Sequence, residues 1–173
     1  RVKSLVLRGI FTLRRRELEF FYQEGSSWVF PDAWDKYLEP IPEEERNDLI
    51  AAYYKRLTGD DEVEKLRCAR AWSVWEMTTS RLFVDPDYIA RAADDDYFAI
   101  AFARIECHYF MNAGWLKDGQ LIENAQLLKD IPVEIVQGRY DMVCPAKSAW
   151  DLHKNLSQSN LVIVPDAGHS AKE

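Results

Sequence analysis

The sequence predicts an α/β fold in which a long helical segment is inserted between strands of a parallel sheet. Three observations carry this. Two β-branched runs, Val133-Glu134-Ile135-Val136 and Leu161-Val162-Ile163-Val164, each end in turn residues. An amphipathic stretch at 146–155 lies between them, which makes a strand–helix–strand unit. A third apolar run, Leu5-Val6-Leu7, stands alone at the start, and from about residue 12 to residue 126 helical signals follow one another without a β run.

The chain has 173 residues, 47% hydrophobic and 29% charged, which is globular composition, and six tryptophans raise the aromatic content to 13%. Its net charge is −7, so nucleic acid and anionic membrane surfaces are poor partners. A cationic small ligand suits that charge better. Cys68, Cys107 and Cys144 fit neither a zinc pattern nor a disulfide framework, which points to a reducing, cytoplasmic compartment. No apolar run approaches the roughly twenty residues of a membrane span. The chain opens on Arg1-Val2-Lys3 with no start methionine, and the expectation is a piece of a longer protein.

Taken in order, residues 4–10 read as a short buried strand ending at Arg8-Gly9. Residues 14–22 read as a charged helix, broken by Gly25-Ser26-Ser27. Phe30-Pro31-Asp32 starts a short helix carrying Trp34 and Leu38. Pro42 and the acidic turn Glu43-Glu44-Glu45 open the next, with Leu49, Ile50, Tyr53 and Leu57 on its apolar face and Gly59 at its end. Asp60 or Asp61 caps a third long helix that runs to about Arg81, and the spacing of Leu66, Ala69, Trp72 and Glu76 puts Glu76 on its apolar face. A helix over 97–111 shows Phe98, Phe102, Ile105 and Tyr109 on one face, with Glu106 among them. Asp118-Gly119 is a turn and 124–129 a linker or helical turn.

Both late strands deliver a polar residue just past their C-terminal ends: Asp141 after Gly138, and His169 after Pro165-Asp166-Ala167-Gly168. Chemistry collects at that edge of an open α/β sheet. A carboxylate that fixes the tautomer of an imidazole makes it a general base, and the order Asp then His is the second half of the Ser…Asp…His order of α/β-hydrolases. The plainer readings are a turn aspartate and a hydrogen-bonded loop histidine. Cys144 lies close by and is a packing residue unless its modification blocks the site. His108 has no ligand partner at helical spacing, and His153 reads as solvent-facing.

Glu76 and Glu106 are the other informative pair. A carboxylate on an apolar face needs a partner. An arginine such as Arg81 or Arg104 would serve, and so would the ammonium group of a substrate held for cleavage at its N-terminus.

The segments Leu7-Arg8-Gly9-Ile10-Phe11, Phe21-Tyr22-Gln23-Glu24-Gly25, Trp72-Ser73-Val74-Trp75-Glu76, 103–110, Gly138-Arg139-Tyr140-Asp141-Met142-Val143-Cys144 and Ala167-Gly168-His169-Ser170 together closely resemble proline iminopeptidases (prolyl aminopeptidases). These are serine exopeptidases of the α/β-hydrolase fold, and the resemblance runs through essentially the whole chain to their C-terminal part. It implies an α/β-hydrolase fold with a helical cap insertion: core strand over 1–11, cap over 12–126, and C-terminal core strands over 127–173. It implies catalytic Asp141 and His169, amine-holding Glu76 and Glu106, and, in the proline pocket region, Arg8 and Phe11. The substrate would be a peptide with a free N-terminal proline, with no metal or organic cofactor.

The family's Gly-x-Ser-x-Gly elbow and His-Gly-Gly-Pro oxyanion loop do not occur in these residues. The 173 residues alone are therefore expected to release no proline. The competing expectations are another capped hydrolase, an esterase or epoxide hydrolase, and a non-catalytic hydrolase-like binding module.

Overall fold

A computed structural model describes residues 1–173 and divides them into two compact units. One comprises Arg1–Glu17, Ser80–Leu82 and Leu116–Glu173; the other comprises Leu18–Thr79 and Phe83–Trp115.

The first unit is built on a three-stranded parallel sheet in the order β1 (Leu5–Arg8), β2 (Val133–Gly138), β3 (Ser159–Val164). Leu7 pairs with Ile135 and Ile135 with Leu161. Helix α8 (Ala146–Lys154) connects β2 to β3. Ile10, Val133, Ile135, Ala149, Leu152 and Leu156 form the core, with Leu5, Leu7 and Leu161 packed against it. The strands were expected to be buried throughout. Only one face is: Val6, Val136 and Val162 are 77%, 38% and 54% exposed, because the alternation of the strand sends them away from that core. Short helix α7 (Gln120–Glu123) and a 3-10 turn at Ala125–Leu128 lead into β2.

A buried ionic knot ties the chain where it leaves β1. The Glu17 carboxylate accepts hydrogen bonds from Thr12 N at 3.0 Å, Thr12 Oγ1 at 2.8 Å, Arg14 N at 3.0 Å, Arg14 Nη2 at 3.0 Å and the Ser148 hydroxyl. Arg14 also reaches Asp151 at 2.9 Å. Burial alone raises the Glu17 carboxyl, but donors on Ser148, Thr12 and Arg14 outweigh it and hold the group below its ordinary value. A depressed carboxyl stabilises the fold above its unfolded value and loses that stabilisation as pH falls through the folded one. We therefore expect Glu17→Gln to lower unfolding free energy by about 3 kcal/mol at neutral pH, in urea titrations. The difference should shrink below about pH 4, where the native carboxylate is also being protonated.

The second unit is helical: the end of α1 (Arg15–Tyr22), then α2 (Pro31–Leu38), α3 (Leu49–Leu57), α4 (Glu62–Thr79), α5 (Pro86–Asp94) and α6 (Asp96–Met111). Asp61 caps α4 as its sequence suggests, accepting from Val63 N and Glu64 N at 3.0 Å each. Three expectations need correction. The helix expected from Pro42 is split into a 3-10 turn at Glu43–Glu45 and α3, because Asp48 accepts from Ala51 N at 3.1 Å and starts a fresh helix. Helix α5 was not anticipated, although Asp85 as cap and Pro86 at the first position are its signal. On α6 the buried positions are Ala99, Ala103 and Cys107, while Phe98, Ile105 and Tyr109 are 38%, 59% and 50% exposed. Small side chains let a neighbouring helix approach closely, so they and not the large residues take the interface. Trp72, Trp75, Tyr37 and Tyr53 form the aromatic core of this unit. No helix is long and apolar enough to cross a membrane.

Candidate active site

Parallel strands β2 and β3 end side by side, so the loops that follow them emerge together. Arg139 N donates to Val164 O at 2.9 Å and Tyr140 N to Ala167 O at 3.0 Å, which continues the pairing beyond the strands. Gly138 is required here: a Cβ on it would lie 2.0 Å from Gly168 O and 2.7 Å from Ala167 O.

This junction brings Asp141 and His169 together. His169 Nδ1 lies 3.0 Å from Asp141 Oδ2. The Asp141 side chain is 1% exposed and that of His169 27%. Asp141 Oδ1 accepts from Val143 N at 3.1 Å and Cys144 N at 2.7 Å, an arrangement in which the loop folds around its own carboxylate. Oδ2 accepts from Gln137 Nε2 at 2.9 Å as well as from the imidazole. With Nδ1 donating to a carboxylate, Nε2 carries the ring's free lone pair and can take a proton.

Strand β1 supplies the remaining support. Arg8 Nη1 donates to the His169 carbonyl at 2.9 Å. Gly9 takes a left-handed φ of 54°, and a Cβ there would sit 3.1 Å from His169 Cε1, so glycine makes room for the ring. Phe11, just after β1, is 37% exposed. Cys144 is buried, as are Cys68 and Cys107. No cluster of three or more His, Cys, Asp or Glu side chains is arranged to hold a metal ion.

In the helical unit, Glu76 on α4 and Glu106 on α6 sit in one aromatic setting. Tyr22 O–H donates to Glu76 Oε1, and Trp72 Nε1 donates to Glu106 Oε2 at 2.8 Å. The two aromatic rings stack, with centroids 4.5 Å apart and an interplanar angle of 16°. Glu76 is 6% exposed. Burial first, and then the negative charge of Glu106, push its carboxyl well above the usual range, against the hydrogen bond from Tyr22. Burial and both carboxylates push the Tyr22 phenol up in the same way. Two acids whose charges act on one another between aromatic side chains, one of them buried, make a setting that a positive charge would relieve.

Tyr22, Trp72 and Gln137 were missed as site residues in the sequence. The first two reach their acids across 54 and 34 residues of chain. Gln137 had a readable signal: it follows Val133 and Ile135 at alternate positions, so it is a polar residue in the buried register of β2.

Comparison with known proteins gives the chain's family. The model of the alpha/beta hydrolase fold family matches residues 1–173. A "Probable proline iminopeptidase" of Leptolyngbya boryana is 60% identical over 174 residues, covering 100% of this chain and 54% of that protein. The proline iminopeptidase of Xylella fastidiosa (strain Temecula1) is 57% identical over 98% of this chain and 54% of its own length. That of Arabidopsis thaliana is 49% identical over 100% of this chain and 46% of its own length. The chain thus spans about half the length of the curated relatives it matches. A family match from the first residue to the last, on a chain whose core is a parallel three-stranded sheet, shows that this chain belongs to the alpha/beta hydrolase fold family.

Proposed function

We propose that these residues are the acid, base and amine-binding parts of a cytoplasmic serine aminopeptidase that releases N-terminal proline from peptides. The observation that carries the reading is the paired setting of Glu76 and Glu106, with Glu76 pushed toward its protonated form by burial and by its acidic neighbour. A substrate ammonium would offset the negative charge that such a pair concentrates. The relatives named proline iminopeptidases support the same reading.

In this proposal His169 Nε2 accepts the proton of a serine hydroxyl as the oxygen attacks the prolyl carbonyl, and then passes it to the departing amine. Asp141 keeps Nδ1 protonated and stabilises the imidazolium. Glu76 and Glu106 hold the imino group of the proline, and Phe11 and Arg8 belong to the region around its ring. Residues 12–126 act as the specificity-bearing insertion. The serine comes from a nucleophile elbow, a motif that residues 1–173 do not contain. The three buried free cysteines suit a reducing cytoplasm.

An enzyme that joins these residues to an elbow serine should hydrolyse proline p-nitroanilide and leave N-acetylproline p-nitroanilide intact. The 173 residues by themselves should release no nitroaniline. Equal turnover of the free and acetylated substrates would overturn the assignment of the glutamates.

A further inference from the structure

We propose that Gln137 is a positioning residue that holds Asp141 in register with His169 and ties the pair to the end of β1. Its side chain is fully engaged and 1% exposed. Nε2 donates to Asp141 Oδ2 at 2.9 Å and to Cys144 O at 2.9 Å, while Oε1 accepts from Ile10 N at 3.3 Å. One amide thereby joins three segments: β1 where it ends, the carboxylate, and the far side of the loop that carries it.

The choice of oxygen matters. Oδ2 receives both the Gln137 amide and the His169 ring, whereas Oδ1 is served by the loop backbone. The backbone bonds hold one end of the carboxylate, and Gln137 sets the rotation that aims the other at Nδ1. An apolar residue of the same length would leave Ile10 N–H and Cys144 C=O without this partner and would free that rotation. A space-filling role does not require a residue whose donors and acceptor all point to specific atoms. Ile10 adjoins Gly9, whose open side accommodates the imidazole, so the same amide links both halves of the pair to β1.

This inference rests on reading Asp141 and His169 as an acid–base pair, not on proline as the substrate. Two variants of similar shape test it. Gln137→Met removes the polar atoms; Gln137→Glu keeps the acceptor for Ile10 N and replaces the donor with an anion facing Asp141. In the enzyme that carries these residues, kcat should fall about tenfold for Met and about a hundredfold for Glu, the size of one lost and one inverted charge-assisted hydrogen bond. KM should stay within about twofold, since neither residue touches substrate. In an Asp141→Asn background the Met change should cost less than about twofold more, because Gln137 acts through Asp141. In proton NMR of the 173-residue chain, the downfield His169 Nδ1–H signal should weaken for Met and vanish for Glu.

Equal kcat for the two variants, or full additivity with Asp141→Asn, would overturn the proposal. If only one variant folds, as judged by its thermal transition, the cycle is read on that one. The NMR signal needs no substrate, so it separates failure of this inference from failure of the aminopeptidase reading.

Discussion

Replacing Asp141 by asparagine, in an enzyme that contains these residues and an elbow serine, should lower kcat on proline amides by about 10⁴-fold while leaving KM within about threefold. Everything that approaches this carboxylate is a donor: Val143 N and Cys144 N on one oxygen, Gln137 Nε2 and His169 on the other. An asparagine amide must turn its NH₂ toward one of those pairs. Facing the loop, it meets two backbone N–H groups; facing the imidazole, it forces the proton onto Nε2 and removes the base. The first orientation also leaves buried donors unmet, so a loss of about 2 kcal/mol in stability should accompany the kinetic defect. Steady-state kinetics and thermal unfolding measure the two effects separately. A variant retaining a tenth of the parent kcat would mean that His169 acts without this carboxylate.

Glu76→Gln should have the second largest effect, and in two opposite directions. Hydrolysis of proline p-nitroanilide should fall by about 10²- to 10³-fold in kcat/KM, the usual loss for one partner of a buried charge pair. A simple p-nitrophenyl ester that carries no amine should be turned over no worse by the variant than by the parent. Stability should move the other way. Burial and the charge of Glu106 raise the Glu76 carboxyl in the folded state. A raised carboxyl binds its proton more tightly folded than unfolded, so stability falls as pH climbs from the unfolded value toward the folded one. Glutamine is neutral throughout and can still accept from Tyr22. At neutral pH the variant should therefore melt higher by about 3 °C, the size of a 1 kcal/mol gain in a domain of this length. At about pH 4, where both states hold the proton, the two should melt together. The same linkage requires proton release when the parent binds a cationic amine, visible as buffer-dependent binding heats. An unchanged melting point at neutral pH would remove the electrostatic part of this account.

Which parts of this were readable in the sequence follows from how local each signal is. The ends of β2 and β3 are marked by β-branched runs and turn residues, and both the strands and the meeting of Asp141 with His169 came out as those marks suggest. Helix α4 and its burial of Glu76 are set by spacing within eighteen residues. The partners of the acids were not legible, because Tyr22 and Trp72 reach them through the packing of helices and not through any pattern along one of them. The face of α6 was misread for a related reason. Hydrophobicity ranks Phe98 above Ala99, but a tight helix contact selects for small volume. Residues 43–57 show the reverse case, where the run suggested one helix and a single side-chain bond at Asp48 made it two pieces.

The close approach of Gly138 to the Gly168 carbonyl has an implication for how the pairing of Asp141 with His169 tolerates substitution. The separation of Asp141 from His169 is written in main-chain geometry, since two neighbouring strands and two main-chain hydrogen bonds just beyond them fix it before any side chain is placed. The side chains of Tyr140, a residue more than half exposed, and Asp166, on the surface of the second loop, face solvent and leave the bracing to the main chain. Substitution of either side chain should leave the junction intact, whereas a single methyl group added at Gly138 would act as a wedge between the two loops that carry Asp141 and His169.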